Sequence, residues 1–204
     1  MRLLHTGAAL AVLLIPAALV ARADDGFKPL FNGKDLDGWV TPSDKSLFTV
    51  EDGDIVGRTK GDLKINQFLA TDKPYADFIL KLKVKIRNHN SGIQFRSTRN
   101  DDGSMVGPQA DVADGFWGLL YEERGRGILE RYPADKANAL VKNGDWNDFV
   151  IEAKGDHAII HFNGVKIIDR VDPKFHKKGL IGLQVHVGPA MEVRFKDIEI
   201  KVLD

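Results

Sequence analysis

The chain has 204 residues, no cysteine, and 29 basic against 29 acidic side chains, so its formal net charge is zero. A nucleic-acid binder would carry a basic excess and a polybasic membrane surface a lysine–arginine cluster; the balance favours neither. Without cysteine there is no disulfide framework, and the length suits one domain whose core is held by packing alone.

At the N-terminus Arg2 supplies a short positive region, residues 7–20 are apolar, and Ala21-Arg22-Ala23 fits a small-x-small cleavage site. This predicts a secretory signal peptide over residues 1–23 and a single mature domain over residues 24–204, secreted or periplasmic. A membrane anchor needs about 18 or more apolar residues; Pro16 interrupts a shorter run, so no stable membrane insertion is expected. Loss of Arg2 and Arg22 leaves the mature chain mildly acidic, which suits a neutral polar ligand.

The mature domain opens on Asn32-Gly33 and Asp37-Gly38, two turn signals flanked by anchors such as Phe31 and Trp39. Residues 48–56 predict two strands around an Asp52-Gly53 hairpin. Residues 78–87 alternate strongly: Phe78, Leu80, Leu82, Val84 and Ile86 face one way, and Ile79, Lys81, Lys83, Lys85 and Arg87 the other. That is a half-buried antiparallel strand with a solvated back. Residues 98–127 are punctuated by glycines, with short strands predicted at 109–112 and 117–121. Residues 134–141 predict a turn or two of helix, and Asn163-Gly164 a second hairpin. In the last strand Val193 and Phe195 share one parity and Ile198 and Ile200 the other, which calls for a bulge near Lys196-Asp197. Many short strands joined by such turns predict an all-β, two-sheet jelly-roll sandwich, since the domain is too long for an immunoglobulin-type sandwich of about 100 residues.

Three strands each offer two polar groups at i and i+2: Gln94 with Arg96, Gln109 with Asp111, and Gln184 with His186. In regular strands these point away from the core. On neighbouring strands they would form one polar face holding a base (His186), a carboxylate (Asp111), a fixed cation (Arg96) and three amides. The bland reading is a solvated outer face. Trp117, Tyr121 and Trp146 offer aromatic platforms for sugar rings, with core or rim packing as the competing role. Glu122 and Glu123 are further carboxylates nearby. A divalent ion between Asp111 and His186 is chemically reasonable, though no metal-ligand spacing supports it. Nor does a Glu-x-Asp-x-Glu pattern, the two-carboxylate set of ordinary glycoside hydrolysis, or a Gly-x-Ser-x-Gly elbow occur.

The segments Leu30-Phe31-Asn32-Gly33-Lys34-Asp35-Leu36-Asp37-Gly38-Trp39, Asn90-Ser91-Gly92-Ile93-Gln94-Phe95-Arg96-Ser97 and Gly182-Leu183-Gln184-Val185-His186, with Trp146-Asn147 and Asn163-Gly164, resemble a secreted bacterial family named for 3-keto-disaccharide hydrolysis. Gly107-Pro108-Gln109-Ala110-Asp111 resembles the family's Gly-Tyr-Gln-x-Asp with proline in place of tyrosine. The resemblance spans essentially the mature chain and implies a concanavalin-like jelly roll acting on a 3-keto-glycoside or related oligosaccharide. The implied chemistry is C2 deprotonation, elimination at C1 and hydration, for which His186 is the expected base. Arg96 is expected to stabilise the enolate and Asp111 to serve as acid or metal ligand. Gln94, Gln109 and Gln184 would orient hydroxyls, with Trp117 and Tyr121 also contacting substrate. The alternative is a non-catalytic glycan-binding module on the same fold.

Overall fold

A computed structural model describes residues 25–203; the expected signal peptide lies outside the described residues. In chain order the strands are β1 (Lys28–Pro29), β2 (Trp39–Val40), β3 (Phe48–Glu51), β4 (Asp54–Thr59), β5 (Gln67–Thr71), β6 (Phe78–Ile86), β7 (Asn90–Arg99) and β8 (Met105–Ala113). They continue with β9 (Leu119–Glu123), β10 (Gly127–Arg131), helix α1 (Ala134–Leu140), β11 (Asn147–Lys154), β12 (His157–Phe162), β13 (Val165–Val171), β14 (Leu180–Val185) and β15 (Met191–Val202). The first sheet runs β13-β12-β11-β6-β15-β4-β3, with β1 on β15; the second runs β10-β9-β8-β7-β14-β5-β2. The paired strands are antiparallel, giving a two-sheet jelly roll of concanavalin type.

Local chemistry sets the turns. Asp52 and Gly53 (φ 52° and 82°) and Asn163 and Gly164 (φ 47° and 83°) each put two successive residues at positive φ. That twist matches a tight hairpin, and Asn/Asp-Gly pairs tolerate it best. The bulge expected near Lys196-Asp197 is present: register shifts between Lys196 and Glu199, and Asp197 has φ 50°.

The core lies between the sheets. From the first come Phe78, Leu80, Leu82 and Val84 of β6 with Phe149, Ile151, Phe162 and Phe195; from the second, Ile93, Phe95, Val112, Leu183 and Val185. Each such side chain contributes about 1.5–3 kcal/mol on burial, so the alternation on β6 alone commits that strand to its face. Trp117 enters this core from the β8–β9 connection, its ring 5.0 Å from that of Phe162 and 6.3 Å from that of Phe149. The first sheet's outer face is charged. There Lys85 and Lys196 place Nζ 4.8 and 4.2 Å from the ring centre of Trp146.

Candidate active site

The outer face of the second sheet carries the polar groups, and register fixes which ones share it. Gln94 lies opposite Gln109, Gly92 opposite Asp111, Gln109 opposite Tyr121 and Gly182 opposite Gln94. Directly paired residues point to the same side of a sheet, so Gln94, Gln109, Asp111, Gln184, Tyr121 and Glu123 all face outward. The expected adjacency holds: β14, β7, β8 and β9 are consecutive neighbours.

Arg96 does not join them. Between Gln94 and Thr98 the β7–β8 register shifts, and Arg96 takes φ 49°. A bulge breaks the period of two, and the side chain turns away from the outer face. Its guanidinium, 1% exposed, donates to the carbonyls of Ala76 (2.6 Å), Gly155 (2.6 Å) and His176 (3.3 Å), and to Asp77 Oδ1 (2.6 Å). The expected enolate-stabilising cation is therefore a tie between loops. Trp117 is likewise corrected: it is 2% exposed in the core and offers no platform. Trp146 sits on the opposite sheet under two lysines.

The outer face is also divided. The β7–β8 connection reaches β5, where Gly103 O accepts from Phe68 N (3.2 Å) and Asp102 O from Gln67 Nε2 (3.0 Å). Since β14 lies between β7 and β5, this strap crosses β14. Met105, at its end, packs with Phe68, Ala70 and Leu180 and comes against Gly182 on the side that faces Gln94. Gln94 and Gln184 are fully buried beneath, and neither amide has a protein partner. These two expected substrate contacts thus lie under cover, where they could meet only what passes the strap.

The open half is a cleft of about 500 Å³ lined by Gln109, Asp111, Tyr121 and His186, together with Asn66, His89, Glu123, Phe116 and Ile128. Four of the residues expected from the sequence thus meet in one place. Gln109 reaches across β7 because residue 92 is glycine: a Cβ there would fall 2.3 Å from Gln109 Cδ. Its Nε2 donates to Asp111 Oδ1 at 2.7 Å. Burial pushes the Asp111 carboxyl up to about 7, against the smaller downward pull of that bond. Burial also raises the Glu123 carboxyl, which accepts from Asn66 Nδ2 at 3.0 Å.

His186 follows β14, and its Nδ1 bonds the carbonyl of Val187, as does Nε2 of His89 at 3.0 Å. A carbonyl only accepts, so those nitrogens carry protons, and neutral His186 keeps Nε2 as an acceptor. The rings meet edge-to-face with centroids 5.0 Å apart. Burial, with His89 adding to it, lowers the His186 pKa and keeps the imidazole neutral near pH 7. Among the described residues no three metal-ligating side chains converge, and no lysine or arginine lines this cleft.

The sequence reading passed over His89, Asn66 and the apolar rim of Phe116 and Ile128. Of the two carboxylates named there, Glu123 is the one on the cleft, because it stands two residues after Tyr121 in the same i, i+2 relation used for the other strands. Glu122 has the opposite parity and pairs with Arg126 at 2.6 Å. Asn66 carries no such signal; its place is set by Val187 N donating to its Oδ1 at 2.8 Å.

The 3-keto-alpha-glucoside-1,2-lyase-like domain matches over residues 26–201. The chain belongs to this family. No curated protein matches the sequence. Among solved structures, a candidate glycosyl hydrolase from Parabacteroides distasonis ATCC 8503 is similar at TM-score 0.64 and 24% identity, covering 88% of this chain and 94% of that one. The carbohydrate-binding module CBM66 from Bacillus subtilis superposes at TM-score 0.58 and 22% identity, over 80% of this chain and 95% of the module. A Bacillus licheniformis beta-glucanase does so at 0.61 and 10% identity, over 87% and 97%. At these identities the likeness is one of fold, and the 3-keto-alpha-glucoside-1,2-lyase-like domain shares its sandwich with both binders and hydrolases.

Proposed function

We propose that the chain, exported from the cytoplasm, cleaves 3-keto-glycosides by elimination followed by hydration. One observation carries the reading beyond family membership: a neutral imidazole and a carboxyl titrating at about 7 line the same cleft. Base and acid are then both in working form near neutral pH, the condition for general acid–base catalysis.

A ketone at C3 acidifies the C2 proton of the sugar. His186 Nε2 takes that proton, and the electron pair moves into an enolate whose negative charge rests on the C3 oxygen. The Tyr121 hydroxyl is a neutral donor lining the cleft that can bond it. Collapse of the enolate breaks the C1–O bond, and protonated Asp111 gives its proton to the departing oxygen. The products are an alcohol and a 2-hydroxy enone. Water then adds at C1, giving up a proton to the Asp111 carboxylate, while the proton on His186 returns to C2; this yields the free 3-keto sugar and restores both groups. Gln109 holds Asp111 in either protonation state, because its amide can donate to the carboxylate or accept from the acid.

The test incubates the mature protein with a disaccharide and with its 3-keto form. Cleavage of the keto form alone is expected. Equal cleavage of both would make it a conventional glycosidase. Binding of either without turnover would favour a glycan-binding module, the reading to which the likeness with the Bacillus subtilis module lends weight.

A further inference from the structure

Beyond His89 and Asp114 lies a second cleft of about 610 Å³, and those two residues line both spaces. Its walls are the end of β6 and the turn after it (Lys85, Arg87), the connection after α1 (Lys142, Asn143) and the start of β15 (Glu192, Arg194), with buried Trp117 reaching its lining. Three of the charged residues there, Glu192, Arg194 and Lys142, are held in ion pairs, while Asp114 and Asp145 form none with a described residue. Glu192 accepts from Arg58 Nε at 2.7 Å and from Arg194 Nε at 3.1 Å, and Arg194 is shared further with Glu51 and Asp54. Lys142 pairs with Asp148 at 3.0 Å, and Asp145 caps the backbone N–H of Trp146 at 2.7 Å. Lys85 and Arg87 have no such partner: neither forms an ion pair with a described residue. The Lys85 ammonium lies over Trp146, which leaves its charge uncancelled.

We infer that this cleft is the subsite for the leaving half of the glycoside and that it favours a sugar bearing a carboxylate, such as a uronic acid, held by Arg87 and Lys85. The inference rests on the proposed reaction site, since the shared wall of His89 and Asp114 puts the second cleft one step from His186. Chemistry favours an acidic sugar over a neutral one for a stated reason. Asp114 and Asp145 line the same cleft, but neither comes within 4 Å of Lys85 or Arg87, so a sugar carboxylate seated between them makes the direct contact that a neutral ring cannot and matches the guanidinium fork.

Calorimetric titration at low ionic strength compares a glucosyl-glucuronic acid disaccharide with a glucosyl-glucose disaccharide, neither oxidised at C3. The acidic one is expected to bind about fivefold more tightly, the scale of exposed ion pairs. The preference should shrink in about 0.5 M salt. Lys85→Gln with Arg87→Gln abolishes it, and the charge-keeping pair Lys85→Arg with Arg87→Lys retains most of it, which separates loss of charge from loss of fold. Equal affinity for the two sugars, no binding of the acidic one, or a preference that survives the double glutamine variant each overturns the inference. Turnover of a neutral 3-keto-disaccharide tests the reaction alone, so the two proposals fail separately.

Discussion

Asp111 couples chemistry to stability through one physical cause, the removal of its carboxyl from water. Its pKa in the fold is about 7, against 3.8 when unfolded. Between those pH values the folded state holds more protons than the unfolded chain. The contribution of Asp111 to stability is therefore greatest below about pH 4, falls as pH rises toward 7, and is flat above. The full difference is on the order of 4 kcal/mol. Asp111→Asn removes this slope, so urea unfolding at pH 4, 6 and 8 should find the variant more stable than the parent at pH 8. Glu123, also raised by burial, adds a slope of the same sign, and Glu122 and Glu192, lowered by their arginine partners, add slopes of the opposite sign. The rate should respond from both sides. Activity rises as His186 loses its proton, below its ordinary 6.5, and falls as Asp111 loses its own near 7. A bell-shaped kcat/KM profile is expected. His186→Ala should cost about 10²–10⁴-fold. An unchanged rate in that variant would remove the imidazole from the reaction.

At the scale of single elements β7 holds two lessons in ten residues. Gly92 makes room for Gln109, and a methyl group there would displace a side-chain end rather than backbone. Gly92→Ala is therefore expected to lower kcat by at least about tenfold, by misplacing the Asp111 partner, while melting moves little; differential scanning fluorimetry beside kinetics separates the two. The bulge further along turns Arg96 into a tie that joins the start of β6, the β11–β12 hairpin and the β13–β14 connection through three carbonyls and Asp77. Arg96→Gln leaves those acceptors short of donors in a buried place. It should destabilise by about 2–4 kcal/mol in urea titration and leave the kcat/KM profile in its original shape. The same bulge explains why counting parity succeeded at Gln94 and failed at Arg96. A period of two survives only while the ladder is regular.

Across the whole molecule, the division of aromatic residues between core and cleft decides what each can do. Trp117 stacks with Phe149 and Phe162 between the sheets, so Trp117→Ala opens a cavity costing about 3–5 kcal/mol. Tyr121, half-buried on the open face, should when changed to alanine weaken glycan binding with a much smaller loss of stability. Urea titration and calorimetry on both variants check the contrast; equal stability losses would place Tyr121 in the core as well.

The sequence by itself determined most of the strands, though not β1, β2 or β10, together with the hairpins at Asp52-Gly53 and Asn163-Gly164, the bulge at Asp197 and the two-sheet sandwich. All of these follow from signals acting within a few residues: alternation that selects a buried face, and turn residues that tolerate positive φ. It also singled out Gln109, Asp111 and His186, because regular strands carry side-chain direction in their spacing, and Tyr121 as an aromatic platform. Only the tertiary structure decided the rest. The strap that buries Gln94 and Gln184 crosses β14 through hydrogen bonds between the segments around residues 67 and 103, and the bulge that withdraws Arg96 is answered by carbonyls 20 to 80 positions away. His89 reaches the site because its ring and that of His186, almost a hundred residues apart, bond one carbonyl of Val187. Contacts of that range leave no local period to read; they exist only once strand order has been set.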